Sequence, residues 1–123
     1  MAFKFSLSLL FGILLNTGIH AQFRSNRDLL GIWEGNQLWV EFNDQSRVTI
    51  HYTGEPGQTG TYTTDFFKKP AHLGMQFERK GEKRSIKCII ELIDNNTIRW
   101  EAFDKGDYPE AFSNDAYILK RRK

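Results

Sequence analysis

Short segments in which apolar and polar residues alternate are the feature that most constrains the fold of this chain. Turn-forming residues separate these segments, which occupy residues 38–42, 48–52, 73–77, 86–92 and 116–120. A period of two places successive side chains on opposite faces of a β-strand, whereas a helix needs a period near 3.6. The sequence therefore predicts an all-β fold, an antiparallel meander of seven or eight strands closed into a small barrel.

The apolar faces also indicate how the strands pair. Pairing Phe42 with Val48 keeps the apolar faces of one hairpin together, and pairing Leu92 with Ile98 does so for a later hairpin. Trp33 lies on the opposite parity from Phe42, so one uninterrupted strand would place the two side chains on different faces. A hairpin or a bulge at residues 35–36 would resolve this conflict, and both alternatives stay open.

The segment around residue 81 predicts a third hairpin. Pairing Phe77 with Ile86 leaves glycine as the first residue of a two-residue loop at 81–82, which is the preference of a type II′ turn. The same register sets Arg79 opposite Arg84. The sequence therefore predicts a basic hairpin tip over residues 79–84.

Residues 1–21 are typical of a secretory signal peptide. Lys4 gives a positive start, residues 5–15 are almost continuously apolar, and the segment ends on the small residue Ala21. The apolar run is too short to span a bilayer as a helix, so no transmembrane segment is expected. We predict cleavage after Ala21, export to the periplasm or secretion, and one barrel domain over residues 22–123.

The charge balance does not favour a nucleic-acid partner. The formal net charge is +2 and falls to +1 when the signal peptide, with its single lysine, is removed. Basic residues cluster at 79–84 and 120–123, which we interpret as a solvated hairpin tip and a soluble tail. Nucleic-acid binding is therefore not expected.

Few residues are suited to catalysis or metal binding. The single cysteine, Cys88, has no partner for an internal disulfide, and its alternation with apolar neighbours predicts a buried side chain. Without the signal peptide only His51 and His72 remain, and two scattered histidines do not make a zinc site. Because no nucleophile and base are spaced together, the sequence predicts a protein that is not an enzyme and that holds no metal.

Two short motifs resemble the lipocalin-like, or calycin, group, and in particular its short bacterial domains. Gly31-Ile32-Trp33 resembles the G-x-W motif of the first strand, and residues 117–121 resemble the final strand. The resemblance implies that Arg121, or alternatively Arg122, covers Trp33 and seals one end of a lipocalin-like barrel. Gly31, Trp33 and Arg121 are thus the predicted barrel seal, and cation–π stacking gives a physical reason for it.

The same start also resembles the nitrobindin-like haem barrels, through Gly31, Trp33 and Gly35. That resemblance would imply a haem-ligating histidine late in the chain. The last histidine here is His72. Haem is therefore not expected, and no cofactor is predicted.

Several large aromatic residues are predicted to point into the barrel. As one hypothesis, they line a small pocket near one mouth that binds a small lipophilic molecule, and the candidate ligand contacts are Trp33, Tyr52, Tyr62 and Trp100. The competing interpretation is that these side chains fill the interior, because an eight-stranded barrel has room for side chains or one small ligand.

A second function class stays open, an inhibitor or accessory protein that acts through its surface. Its contact regions would be the polar arm at residues 22–27, the loop aromatics Phe66 and Phe67, or the tip at 79–84. Interior volume separates the two hypotheses. An open apolar cavity favours a ligand, and a solid core with exposed loop aromatics favours a protein partner.

Overall fold

A computed structural model of the protein describes residues 21–123, so the predicted signal peptide lies outside the described residues except for Ala21. A 3₁₀ helix, Asn26–Asp28, precedes eight strands. The strands are β1 (Gly31–Glu34), β2 (Leu38–Phe42), β3 (Arg47–Tyr52), β4 (Gln58–Asp65), β5 (Ala71–Arg79), β6 (Glu82–Asp94), β7 (Thr97–Phe103) and β8 (Tyr117–Arg121). Each strand pairs with the next, and β8 pairs with β1. The predicted antiparallel meander closed into a barrel is confirmed, with eight strands.

Two of the three predicted registers are confirmed. Phe42 pairs with Val48, and Leu92 pairs with Ile98. Trp33 pairs with Val40 across an antiparallel hairpin of β1 and β2, so the chain reverses after β1 and both side chains lie inside. Of the two alternatives at residues 35–36, the hairpin is the one that forms.

The predicted register of the β5–β6 hairpin is wrong by two residues. Phe77 pairs with Arg84 instead of Ile86, and Arg79 pairs with Glu82 instead of Arg84. The turn consists of Lys80 and Gly81, both with positive φ (52° and 82°), as a type I′ turn requires. A shift of two residues leaves the inward face unchanged, so the apolar pattern could not distinguish these registers.

The corrected register also changes which charges face each other at the tip. Glu78 lies opposite Lys83, and Arg79 lies opposite Glu82, so opposite charges face each other across the two strands. Such pairs stabilise a hairpin, whereas the predicted pairing of Arg79 with Arg84 would have destabilised it. The tip at residues 79–84 stays basic, with four basic residues and the single acid Glu82, but Arg79 does not face Arg84.

Side chains fill the interior of the barrel. Its largest fully buried members are Trp33, Trp100, Phe42, Leu29, Leu73, Met75, Ile90, Ile98 and Leu119. Cys88 is buried among them, as predicted. No helix of residues 21–123 is long and apolar enough to cross a membrane.

The loop after β7, residues 104–116, covers part of the outer face of the barrel. The Tyr108 ring stacks on His72, with 3.8 Å between ring centroids. Glu101, which is almost fully buried, accepts hydrogen bonds from the backbone N–H and the hydroxyl of Ser113. Ile89 is consequently buried although it lies outside the barrel.

Candidate functional site

Arg121 closes the end of the barrel at which β1 begins, here called the closed end. Its guanidinium lies 4.1 Å from the centroid of the Trp33 ring. It donates to the carbonyl oxygens of Leu30 (Nη1, 2.7 Å) and Asp28 (Nη2, 2.9 Å) at the end of the 3₁₀ helix. Trp33 Nε1 donates to Leu29 O at 2.8 Å. The helix is thus held to the barrel by both side chains.

The two other residues considered for the seal have different surroundings. Gly31 adopts φ +112°, a conformation that glycine takes without strain, directly below the guanidinium of Arg121. Arg122 instead forms an ion pair with Glu34 (Nη2 to Oε1, 2.8 Å) and lies 5.7 Å from the ring of Trp39. Of the two arginines, Arg121 is therefore the one in contact with Trp33.

Two of the four candidate ligand contacts lie in one aromatic cluster within the core. The Phe42 ring meets Tyr62 edge-on at 5.0 Å and lies 6.3 Å from the Trp100 ring. The Tyr62 hydroxyl donates to Asn43 O at 3.0 Å, a contact to the turn after β2. Burial raises the pKa of Tyr62. Its hydroxyl is therefore occupied by the protein itself.

The structure does not bring the other two candidates into that cluster. Trp33 lies below Arg121, while Tyr52 pairs with Leu38 at the far end of the barrel. Tyr52 is half-buried, and its pKa is raised mainly by burial and also by the nearby Tyr117. The four residues are thus distributed along the barrel, and their role as ligand contacts stays a prediction.

Trp100 has one unusual feature. It is fully buried, and among residues 21–123 its Nε1–H has no hydrogen-bond partner. A buried donor without a partner costs about 1–3 kcal/mol of stability. A polar atom of a ligand could satisfy this group only if the surrounding side chains moved, because the indole has no exposed surface.

A large groove of about 1320 Å³ lies at the closed end, and we call it the closed-end groove. Its walls are residues 21–24 of the N-terminal arm, residues 64–71 around the β4–β5 loop, and residues 110–112. Its floor is the end of β6, residues 90–93, together with Arg99. None of the four candidate ligand contacts lines it.

Phenylalanines dominate the apolar lining of the groove: Phe23, Phe66, Phe67 and Phe112. Phe23 is buried and stacks on Phe66 with ring centroids 5.0 Å apart. This stack therefore attaches the N-terminal arm, residues 22–27, to the β4–β5 loop. Phe112 lies below Arg99, whose guanidinium is 5.4 Å from the ring centroid.

Cationic side chains surround these rings. Arg24, Lys68 and Lys69 are exposed, and none of them forms a salt bridge within the described part of the chain. Arg99, by contrast, is paired with Glu91 at 3.0 Å, as the register predicted. The groove thus combines phenylalanine rings with cationic side chains that form no salt bridge within the described part of the chain.

The sequence pattern indicates only part of this groove. It singles out Phe66 and Phe67, but it does not connect them with Phe23 or Phe112. These residues lie in loops without alternation, and Phe23 and Phe66 meet only because the chain travels around the barrel between them. Nothing in the linear pattern indicates that contact.

Other chemistry finds little support among the described residues. Within residues 21–123 no three histidine, cysteine or acidic residues are placed to hold a metal ion. Burial raises the pKa of the Cys88 thiol well above its usual value, so it stays protonated near neutral pH. This thiol is therefore unsuited to act as a nucleophile.

Comparison with protein-family models, with curated proteins and with solved structures finds no match. The resemblance to the lipocalin-like group therefore rests on the residues of the two motifs and on the eight-stranded meander alone.

Proposed function

We propose that this protein is an exported lipocalin-like barrel that binds a small lipophilic molecule and is not an enzyme. The single observation that carries the proposal is the closed-end groove, an open cavity with phenylalanines in its lining beside a filled barrel interior. Ligand sites are typically concave and mostly apolar, with a few polar groups that orient the ligand. The groove is concave, its lining is somewhat more apolar than polar, and its volume is sufficient for such a molecule.

The filled interior and the exposed Phe67 are the combination that favours a surface-acting protein over a ligand inside the barrel. A ligand therefore needs a site outside the interior, and the closed-end groove offers one. Trp33 and Trp100 have no exposed surface, and the Tyr62 hydroxyl is bonded to Asn43 O. Closely packed interiors admit a ligand only by displacing side chains. The groove is open without any such change, so we place the ligand there.

The charges on the rim favour a ligand that carries an anionic group. Four cations (Arg24, Lys68, Lys69 and Arg99) and three acids (Asp65, Glu91 and Glu110) line the groove, and Arg99 pairs with Glu91. The three remaining cations outnumber the two remaining acids. A carboxylate at one end of an apolar chain would meet these cations while the chain lies on the phenylalanines. The proposed ligand class is therefore an aliphatic or aromatic carboxylate.

A displacement titration tests the groove. The chain of residues 22–123 is saturated with the apolar anion 1-anilinonaphthalene-8-sulfonate, and dodecanoate is added while the probe's fluorescence is followed. Phe66→Ser and Phe112→Ser should each weaken the binding of both molecules on the order of tenfold, because each substitution removes the transfer free energy of a partly buried ring. Ile118→Ser, on the exposed outer face of β8, is the matched control and should bind as the unaltered chain does.

The same titration separates the alternatives. If Trp100→Phe or Tyr62→Phe weakens binding and the groove variants do not, the site is the interior pocket. If no apolar molecule binds, the proposal fails, and a protein inhibitor or accessory role through Phe66 and Phe67 replaces it.

Export forms the other part of the proposal, and it is supported by the composition of residues 1–21. Mass spectrometry of the exported protein should show a chain that begins at Gln22. An exported chain that retains Met1 would contradict it.

A further inference from the structure

The β4–β5 loop presents an almost completely exposed aromatic ring. Phe67 is 97% exposed, whereas the adjacent Phe66 packs on Phe23. The Phe67 backbone N–H donates to Asp65 Oδ1 at 3.0 Å, so the chain just before the exposed ring makes a local turn contact. This ring contributes almost no packing to the fold and is therefore available for a contact outside the chain.

The residues next to this ring carry positive charge. Lys68 and Lys69 follow it directly, and Arg24 lies on the other wall of the groove. All three are exposed and form no salt bridge within residues 21–123. The acids nearby are Asp65, which accepts the Phe67 N–H, and Glu110 across the groove. Cations therefore outnumber acids around the ring.

We propose that the closed end of the barrel docks on the surface of an anionic phospholipid bilayer through Phe67, Lys68 and Lys69. A single ring that projects from a loop can enter the boundary between headgroups and acyl chains without a complementary cavity. Lysines beside it then lie at the depth of the phosphates, where each contributes electrostatic attraction to an anionic surface. A protein partner would instead need a cavity shaped for Phe67.

The predicted binding is weak and reversible. One aromatic ring and two or three cations give far less free energy than a lipid anchor or a spanning helix. The orientation that follows places the closed-end groove beside the bilayer, although docking itself needs no ligand in the groove. The inference therefore stands independently of the proposed function.

Sedimentation with vesicles tests the docking. The chain of residues 22–123 is mixed with vesicles of phosphatidylglycerol and phosphatidylcholine in equal amounts, or of phosphatidylcholine alone. Binding is expected only to the anionic vesicles and should weaken as salt is added. Phe67→Ser should reduce the affinity on the order of tenfold. The double variant Lys68→Gln, Lys69→Gln should reduce the affinity about 25-fold, because each lysine contributes about 1 kcal/mol to binding.

The opposite end of the barrel provides the matched control. Lys80→Gln with Lys83→Gln removes the same charge from the β5–β6 tip, which carries no exposed aromatic ring, and should leave vesicle binding unchanged. Equal losses in both double variants would show attraction by net charge alone and would overturn the inference. Absence of binding to anionic vesicles, or a Phe67→Ser variant that binds fully, would overturn it as well. Dodecanoate displacement is measured in solution without vesicles, so failure of either proposal is recognised separately.

Discussion

Replacing Arg121 by alanine should destabilise the protein far more than an ordinary surface change. The substitution removes the cation over Trp33 and the donors to the carbonyl oxygens of Leu30 and Asp28. These carbonyls lie where the 3₁₀ helix ends, and they have no obvious replacement donor once the guanidinium is lost. The effect therefore includes lost contacts and newly unsatisfied acceptors.

The magnitude follows from these contacts. A cation–π contact at a partly exposed site contributes about 1 kcal/mol. A hydrogen bond from a charged donor contributes about 1.5–3 kcal/mol, although the two bonds from one guanidinium are not additive. Arg121 is half-buried, so water partly replaces the lost donors. We expect Arg121→Ala to lower the free energy of unfolding by about 3 kcal/mol.

Urea unfolding followed by tryptophan fluorescence measures this loss, because the indole of Trp33 becomes exposed on unfolding. Arg122→Ala is the matched control one residue away. Its guanidinium pairs with Glu34 while both side chains stay more than two-fifths exposed. Such a pair contributes about 0.5 kcal/mol. If Arg121→Ala is no more destabilising than Arg122→Ala, Arg121 does not hold the closed end together.

Two further predictions concern the barrel wall and its core. Gly60→Ala should destabilise the protein by about 3 kcal/mol through overpacking, since the added Cβ would meet the backbone oxygen of Gln76 and lie 2.8 Å from the Phe77 ring. The control is Gly57→Ala, whose Cβ would make only ordinary contacts, and it should be nearly neutral in the same urea experiment. Burial raises the pKa of the Cys88 thiol, so the unfolded chain loses this proton at a lower pH than the folded chain. The free energy of unfolding is therefore at its full value below the pKa of the thiol in the unfolded chain, about pH 8.5. It falls as the pH rises above that value. The free energy of unfolding, measured over this pH range, should fall less in the Cys88→Ala variant than in the unaltered protein. An equal fall in both proteins would contradict this reasoning.

Sequence reasoning succeeded where one face of a strand is buried. Apolar residues recur at every second position on the inward faces of β2, β3, β6 and β7. Their registers were predicted to the residue at Phe42 with Val48 and at Leu92 with Ile98. A slip by one residue would have turned every apolar side chain outward, so the pattern strongly constrains the pairing. A slip by two residues meets no such penalty, and the β5–β6 hairpin shows this limit.

In that hairpin both registers bury the same apolar residues, so other energetic contributions determine which register forms. Opposite charges face each other when Glu82 lies beside Arg79, and the left-handed conformations of Lys80 and Gly81 give the turn the twist of the strands. Lys80 pays a conformational cost for this geometry, since a non-glycine residue rarely adopts positive φ. The sequence analysis placed glycine at the first turn position and did not weigh the cross-strand charges.

The candidate site was harder to predict because it is built by loops that alternation does not describe. Its arrangement follows from a chain of contacts that begins at the seal. Arg121 holds the 3₁₀ helix through the Asp28 carbonyl, and the Asp28 carboxylate accepts the backbone N–H of Arg24 at 2.7 Å. That contact positions Phe23 against Phe66, and the stack forms one wall of the groove. The residues that close the barrel thereby also shape its proposed binding surface, so the stability of the closed end and the affinity of the groove depend on the same few contacts.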